Sequence, residues 1–171
     1  MKEIPGSILV MFYWLHLLAT VVWIGGLASM ALIVLPAARR SLDDSAFAGF
    51  LGRVQERLNQ VGWLCLLVLG GTGMFQMSSN PHYNGFLAID NGWATAILFK
   101  HIAILVMVLV SVYNTWGLLP VLRRNALRRA AGKQLDPLEQ KRLSGREQLL
   151  LWLNLGLSLL VLALTAWARV A

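Results

Sequence analysis

The groups that could do chemistry in this chain are few, and they stand in apolar surroundings. His16 lies in the run Trp14-Leu15-His16, which continues to Trp23-Ile24-Gly25-Gly26 inside an apolar stretch from Ser7 to Leu35. His101 follows Lys100 in a second long apolar stretch that begins near Trp93. An ionisable side chain at hydrocarbon depth is costly, and is a functional-site candidate by default. With a rise of about 1.5 Å per residue, His16 lies about 12 Å in from Ile8, and His101 about 12 Å in from Trp93. Two imidazoles at one level on different helices could bind the two faces of a haem b. They could equally hold a metal ion together with a third group. The alternative for each is a neutral packing histidine that donates to a helix carbonyl.

Lys100 points about 100° away from His101 around a helix. It could neutralise a propionate, hold a quinone or an anionic substrate, or replace an axial ligand; otherwise it snorkels. It is the candidate catalytic residue. Trp23 is expected to pack near a cofactor. Arg57, next to Glu56 and four residues after Arg53, is a candidate cofactor contact or an interfacial anchor. Asn59, Asn114 and Asn154 read as interhelical hydrogen-bonding groups. Gly25, Gly26, Gly70, Gly71 and Gly73 either permit close helix packing or leave room for a flat macrocycle. Met74 and Met77 with His82 suit Cu(I) by their softness, although two methionines at a helix end also pack well.

These groups must be positioned by membrane-spanning helices. Of 171 residues, 57% are hydrophobic and 13% charged, about half the charge of an average soluble domain. The sequence therefore predicts an all-α, integral membrane, antiparallel four-helix bundle, a single transmembrane domain over 1–171. Its helices fall at about 7–35, 54–77, 93–119 and 149–168, with Pro36 and Pro120 ending or bending the first and third. The first is longer than a signal-peptide core and lacks a small-residue cleavage site, so it is expected to remain as a span. Asp43, Asp44 and Ser45 read as a helix start, and Gly132 with Asp136-Pro137 as a turn between two short helices. The loops 36–53 and 120–148 are rich in Lys and Arg, whereas 78–92 has none. The positive-inside rule then puts both termini on the non-cytoplasmic side, in the inner membrane of a prokaryote. Trp14, Trp93 and Trp167 would mark the outer interface and Trp152 the inner one. The net charge of +7 is that of loops facing anionic lipid, and nucleic acid is not an expected partner. The one cysteine, Cys65, excludes an internal disulfide and is expected to be a buried, inert thiol. No internal repeat is evident from the sequence.

The set Trp14-Leu15-His16, Trp23-Ile24-Gly25-Gly26, Gly52-Arg53, Arg57, Thr72-Gly73 and Lys100-His101 resembles the CopD-like membrane family, which is associated with copper resistance and uptake. Through Glu56-Arg57-Leu58 and Trp152-Leu153-Asn154 the chain also resembles the HemJ-type protoporphyrinogen oxidases. Their third helix reads His-Ala-Lys, where here Lys100 precedes His101. The resemblance implies a bundle able to hold b-type haem with His16 as a ligand. The leading expectation is a haem b-binding redox protein with His16 and His101 as axial ligands. It would exchange electrons with a quinone or a porphyrinogen, and with a partner membrane or extracytoplasmic redox subunit. The second is a copper-handling transport component that uses His16, His101, Met74 and Met77. The third is a structural or assembly subunit of a larger membrane complex.

Overall fold

A computed structural model describes residues 5–80, 85, 91–132 and 136–170. They form four long helices. Helix α1 runs over Gly6–Ser29, a π-helical turn Met30–Val34 and Leu35–Ser41. Helix α2 is Asp44–Ser78. Helix α3 comprises Gly92–Val112, a π-helical Tyr113–Leu118 and Leu119–Ala130. Helix α4 is Pro137–Trp167. Each contains a stretch long and apolar enough to cross a bilayer, so the protein is an integral membrane four-helix bundle.

The helix starts are set by side chains. Asp43 accepts from the Ala46 N–H at 2.7 Å, Asn91 from Ala94 at 2.7 Å and Asp136 from Leu138 at 2.9 Å. Each such cap is worth about 1 kcal/mol. After α3, Gly132 adopts the left-handed φ of +75°, which an L side chain enters only with strain. The chain thus leaves α3 at Gly132 as expected, but the two short helices expected on either side are instead the ends of the long helices α3 and α4.

Pro36 and Pro120 do not end their helices. The N–H immediately ahead of each proline reaches five residues back, from Leu35 to the Met30 carbonyl and from Leu119 to that of Asn114. This wider turn moves the preceding carbonyls away from the pyrrolidine ring, and the helix continues to Ser41 or Ala130. Much of the sequence expected to form basic loops is accordingly helical, and the helices project beyond the apolar core at one end. This end, which carries Arg39, Arg40, Arg123 and Arg124, is called the basic end below.

With the proline turns as landmarks, an internal repeat emerges that the sequence reading missed. Leu35-Pro36-x-x-Arg39-Arg40 on α1 matches Leu119-Pro120-x-x-Arg123-Arg124 on α3. On α2, Gly52-Arg53-x-Gln55 and Leu66-Leu67-Val68-Leu69-x-x-Thr72 match Gly145-Arg146-x-Gln148 and Leu159-Leu160-Val161-Leu162-x-x-Thr165 on α4. Thr72 and Thr165 both bond the carbonyl one turn back, at 2.6 and 2.7 Å. The molecule is two similar helical hairpins, α1–α2 and α3–α4. Runs of leucine and valine match one another at many offsets, which hides the true one until the π-helical turns mark it.

In lipid, helices associate through close packing and hydrogen bonds rather than through exclusion of water. Along the α1–α2 pair, Gly62 receives the Trp23 ring so tightly that a Cβ there would lie 2.8 Å from it. Gly26 faces Leu58, and Gly73 faces His16. By contrast, Gly25, Gly70 and Gly71 border open space. Buried Ala19, Trp23, Cys65 and Met107 form the central core. Trp93 is buried rather than interfacial, whereas Trp14, Trp152 and Trp167 are exposed, because Trp93 opens α3 on its inward face beside buried Ala94 and Ala96.

The packing predicts that Gly62→Val lowers the melting temperature in detergent, through an overpacking cost of about 1–3 kcal/mol. Gly70→Ala, which meets nothing, should leave it unchanged or raise it by its higher helix propensity.

Candidate functional site

His16 lies between α1 and α2 at the end of the bundle opposite the basic end. Its Nδ1 is 2.8 Å from the Thr72 hydroxyl oxygen. That hydroxyl has one proton, and it lies 2.6 Å from the Val68 carbonyl, which can only accept. Thr72 therefore donates to Val68 and accepts from His16, which puts the imidazole proton on Nδ1. In the neutral ring, Nε2 is left as the basic nitrogen. A ring N–H held by a second group while the other nitrogen carries the lone pair is the usual preparation of a metal-ligating histidine. The main-chain carbonyl of His16 in turn accepts from Thr20 at 2.7 Å. One turn nearer the end, Gln76 donates to the Phe12 carbonyl at 3.3 Å, and Phe12 stacks on Phe75 at 4.1 Å. Both contacts fix the register that delivers Thr72 to His16.

On α3, the residue that the repeat matches to His16 is Lys100. Lys100 precedes Pro120 by as many residues as His16 precedes Pro36, so the two occupy equivalent positions in their hairpins. Ala19 and Ala103, and Trp23 and Met107, are equivalent in the same way, and all four are buried. His101, one residue on, is rotated about 100° around α3. Its Nδ1 is 2.7 Å from the Ile97 carbonyl, so this ring too carries a proton on Nδ1.

The other expected site residues do not gather at His16. Trp23 is two turns further along α1, about 10 Å away along the axis, and seats on Gly62. Arg57 is exposed on α2, and Thr72, fifteen positions further on, is about 22 Å away along the helix. Met74 is 64% exposed and so turned away from the interior, and His82 lies outside the described residues. Cys65 is buried, as expected, and it shares the central core with Met107.

The amides behave as expected at Asn59 and Asn154. Asn59 and the Thr115 hydroxyl are 2.7 Å apart, and Trp63 Nε1 donates to the same hydroxyl at 3.1 Å. Thr115 lies in the π-helical turn of α3, so the proline-driven turn also supplies this bridge to α2. Asn154 donates to Ser111 at 3.4 Å, joining α4 to α3. Near the basic end Gln55 donates to the Glu147 carboxylate, and Arg39 reaches Ser144 at 3.4 Å. Of these groups Gln55, Asn59, Trp63, Ser111, Glu147 and Asn154 line a cavity between the helices whose walls also include Trp23, Leu58 and Leu66. Sequence reasoning missed this cavity, because its lining is assembled from all four helices.

A family model described as CopD, copper resistance protein D, matches residues 52–168. The chain belongs to the CopD family. The matched region takes in most of α2 and all of the α3–α4 hairpin, with Thr72, Lys100 and His101, whereas His16 precedes it. No curated protein and no solved structure matches the chain.

The tautomer can be read directly. Long-range proton–nitrogen spectra of imidazole-labelled protein should show the His16 proton on Nδ1. Thr72→Val, which removes the acceptor, should shift the ring toward a mixture of both tautomers.

Proposed function

We propose that this protein is a copper-handling membrane transport component in which the His16 Nε2 receives Cu(I). The observation that supports this most directly is the His16–Thr72–Val68 chain, in a protein of the CopD family. Imidazole and thioether are ligands that Cu(I) accepts readily. The Cys65 thiol and the Met107 thioether lie in the core deeper than His16, so soft donors continue from the His16 level toward the centre of the bundle. Among the described residues no three His, Cys, Asp or Glu side chains cluster. A site with one imidazole and sulfur or solvent ligands suits a transient passenger better than a resident ion. The basic end faces the cytoplasm by the positive-inside rule, with both termini outside and the bundle in a prokaryotic inner membrane. Copper then meets His16 from the outer side. The neighbouring Lys100 ammonium repels a bare cation, which favours delivery of copper with an anionic ligand that Lys100 can pair.

A second reading is a haem b redox protein that exchanges electrons with a quinone or a porphyrinogen. It would use the Nε2 lone pairs of His16 and His101, whose protons lie on Nδ1, although His101 makes the helix-carbonyl bond of a packing histidine and stands about 100° around α3 from Lys100, the counterpart of His16. Haem would supply one-electron chemistry, and the two rings would hold it.

One preparation tests both. Purified protein titrated with Cu(I) against a chelator should bind about one ion per chain, with affinity reduced about tenfold in Thr72→Val and abolished in His16→Ala. Copper uptake into proteoliposomes should fall in parallel. Unchanged binding in His16→Ala would overturn the copper reading. A red preparation with a Soret band lost in both His16→Ala and His101→Ala would establish the haem reading in its place.

A further inference from the structure

Two buried polar atoms among the described residues have no hydrogen-bond partner, the Trp23 indole Nε1 and the Asn154 amide Oδ1. Trp23 is 9% exposed and Asn154 7%, and both line the cavity near the basic end. An orphaned buried donor or acceptor costs about 1–3 kcal/mol. One donor and one acceptor are thus left over on two residues that line one cavity. The remaining walls are mostly apolar, with Leu27, Met30, Leu66 and Leu151 among them. Apolar walls with a few convergent polar groups are the usual make-up of a small-molecule site.

The opening of the cavity narrows the choice of ligand. Val22 and Val61 line it, yet they are 42% and 43% exposed. They therefore sit where the cavity meets the outer surface of the bundle, at a depth flanked by lipid. Glu147, the one acid among the described lining residues, receives the Gln55 amide.

We infer that this cavity binds a neutral, lipid-soluble hydroquinone, with one hydroxyl oxygen accepting from the Trp23 indole N–H and an O–H donating to the Asn154 amide oxygen. A hydroxyl is both donor and acceptor. An oxidised quinone has only acceptors, and so can satisfy Trp23 but not Asn154. The apolar walls take the ring, and the Val22–Val61 side admits the tail from the bilayer. The inference concerns binding alone, and it is independent of the copper reading, because the cavity lies about two turns or more from His16 along α1.

The test uses the full chain in lipid nanodiscs, free of copper, with a radiolabelled short-chain alkyl hydroquinone and its oxidised quinone as probes. Saturable binding is expected, with the hydroquinone tighter than the quinone by about tenfold, the worth of one buried hydrogen bond. Asn154→Leu should erase that preference. Trp23→Phe should weaken both probes by a similar factor, and the exposed-face variant Leu160→Ala should bind as the parent does. Melting curves check that each variant is folded; if Asn154→Leu is not, the preference in the parent protein decides alone. Non-saturable partitioning, equal affinity for the two probes, or an unchanged preference in a folded Asn154→Leu overturns the inference and leaves a water-filled cavity.

Discussion

The Thr72 hydroxyl has a single proton, and the side chain is buried in the helix interface. Committed to the Val68 carbonyl, that proton obliges the hydroxyl to accept from His16 and fixes which nitrogen of the ring is basic. The arrangement depends on α1 and α2 approaching closely enough for a side chain on one to bond the other. Glycine makes that approach possible, at Gly73 beside the ring and at Gly62 beneath Trp23. A bilayer offers no alternative partner to a polar group that misses its own, so a small error in helix register would be felt at the imidazole.

The same need to satisfy polar groups organises the other half of the bundle. Asn59, Thr115 and Trp63 form one interhelical link, and Asn154 with Ser111 forms another. Both lie on the basic-end side of the Trp23–Gly62 contact. The molecule is thus divided along its axis into a histidine level, an apolar core with Cys65 and Met107, and an amide-lined cavity. Its two hairpins supply equivalent positions to these levels with different residues. His16 has Lys100 as its counterpart, Trp23 has Met107, and Cys65 has Ser158. A path or site on the boundary between hairpins is therefore chemically asymmetric although the helices are laid out alike.

Much of this was legible in the sequence. Four apolar stretches, the capping Asp43 and Asp136, the segregation of Lys and Arg, and the exceptional position of His16 all follow from residue type and spacing. What escaped was phase. Lys100 and His101 are adjacent, and only the phase of α3 decides which of them is the counterpart of His16; the Pro36 and Pro120 landmarks that carry this information read as helix ends or bends. Trp93 was placed at an interface because depth was legible and facing was not. The basic segments read as loops because charge says that a segment leaves the membrane, and does not say that it stops being helical. The cavity had no local signature, since Trp23, Asn59, Ser111 and Asn154 come from four helices.

The central claim is that the Thr72-held imidazole of His16 offers Nε2 to copper. X-ray absorption at the copper edge of Cu(I)-loaded protein tests it most directly. The account predicts an imidazole nitrogen shell, with its outer ring scattering, that disappears in His16→Ala while any sulfur scattering persists. A copper environment without imidazole, or one identical in His16→Ala, would contradict it.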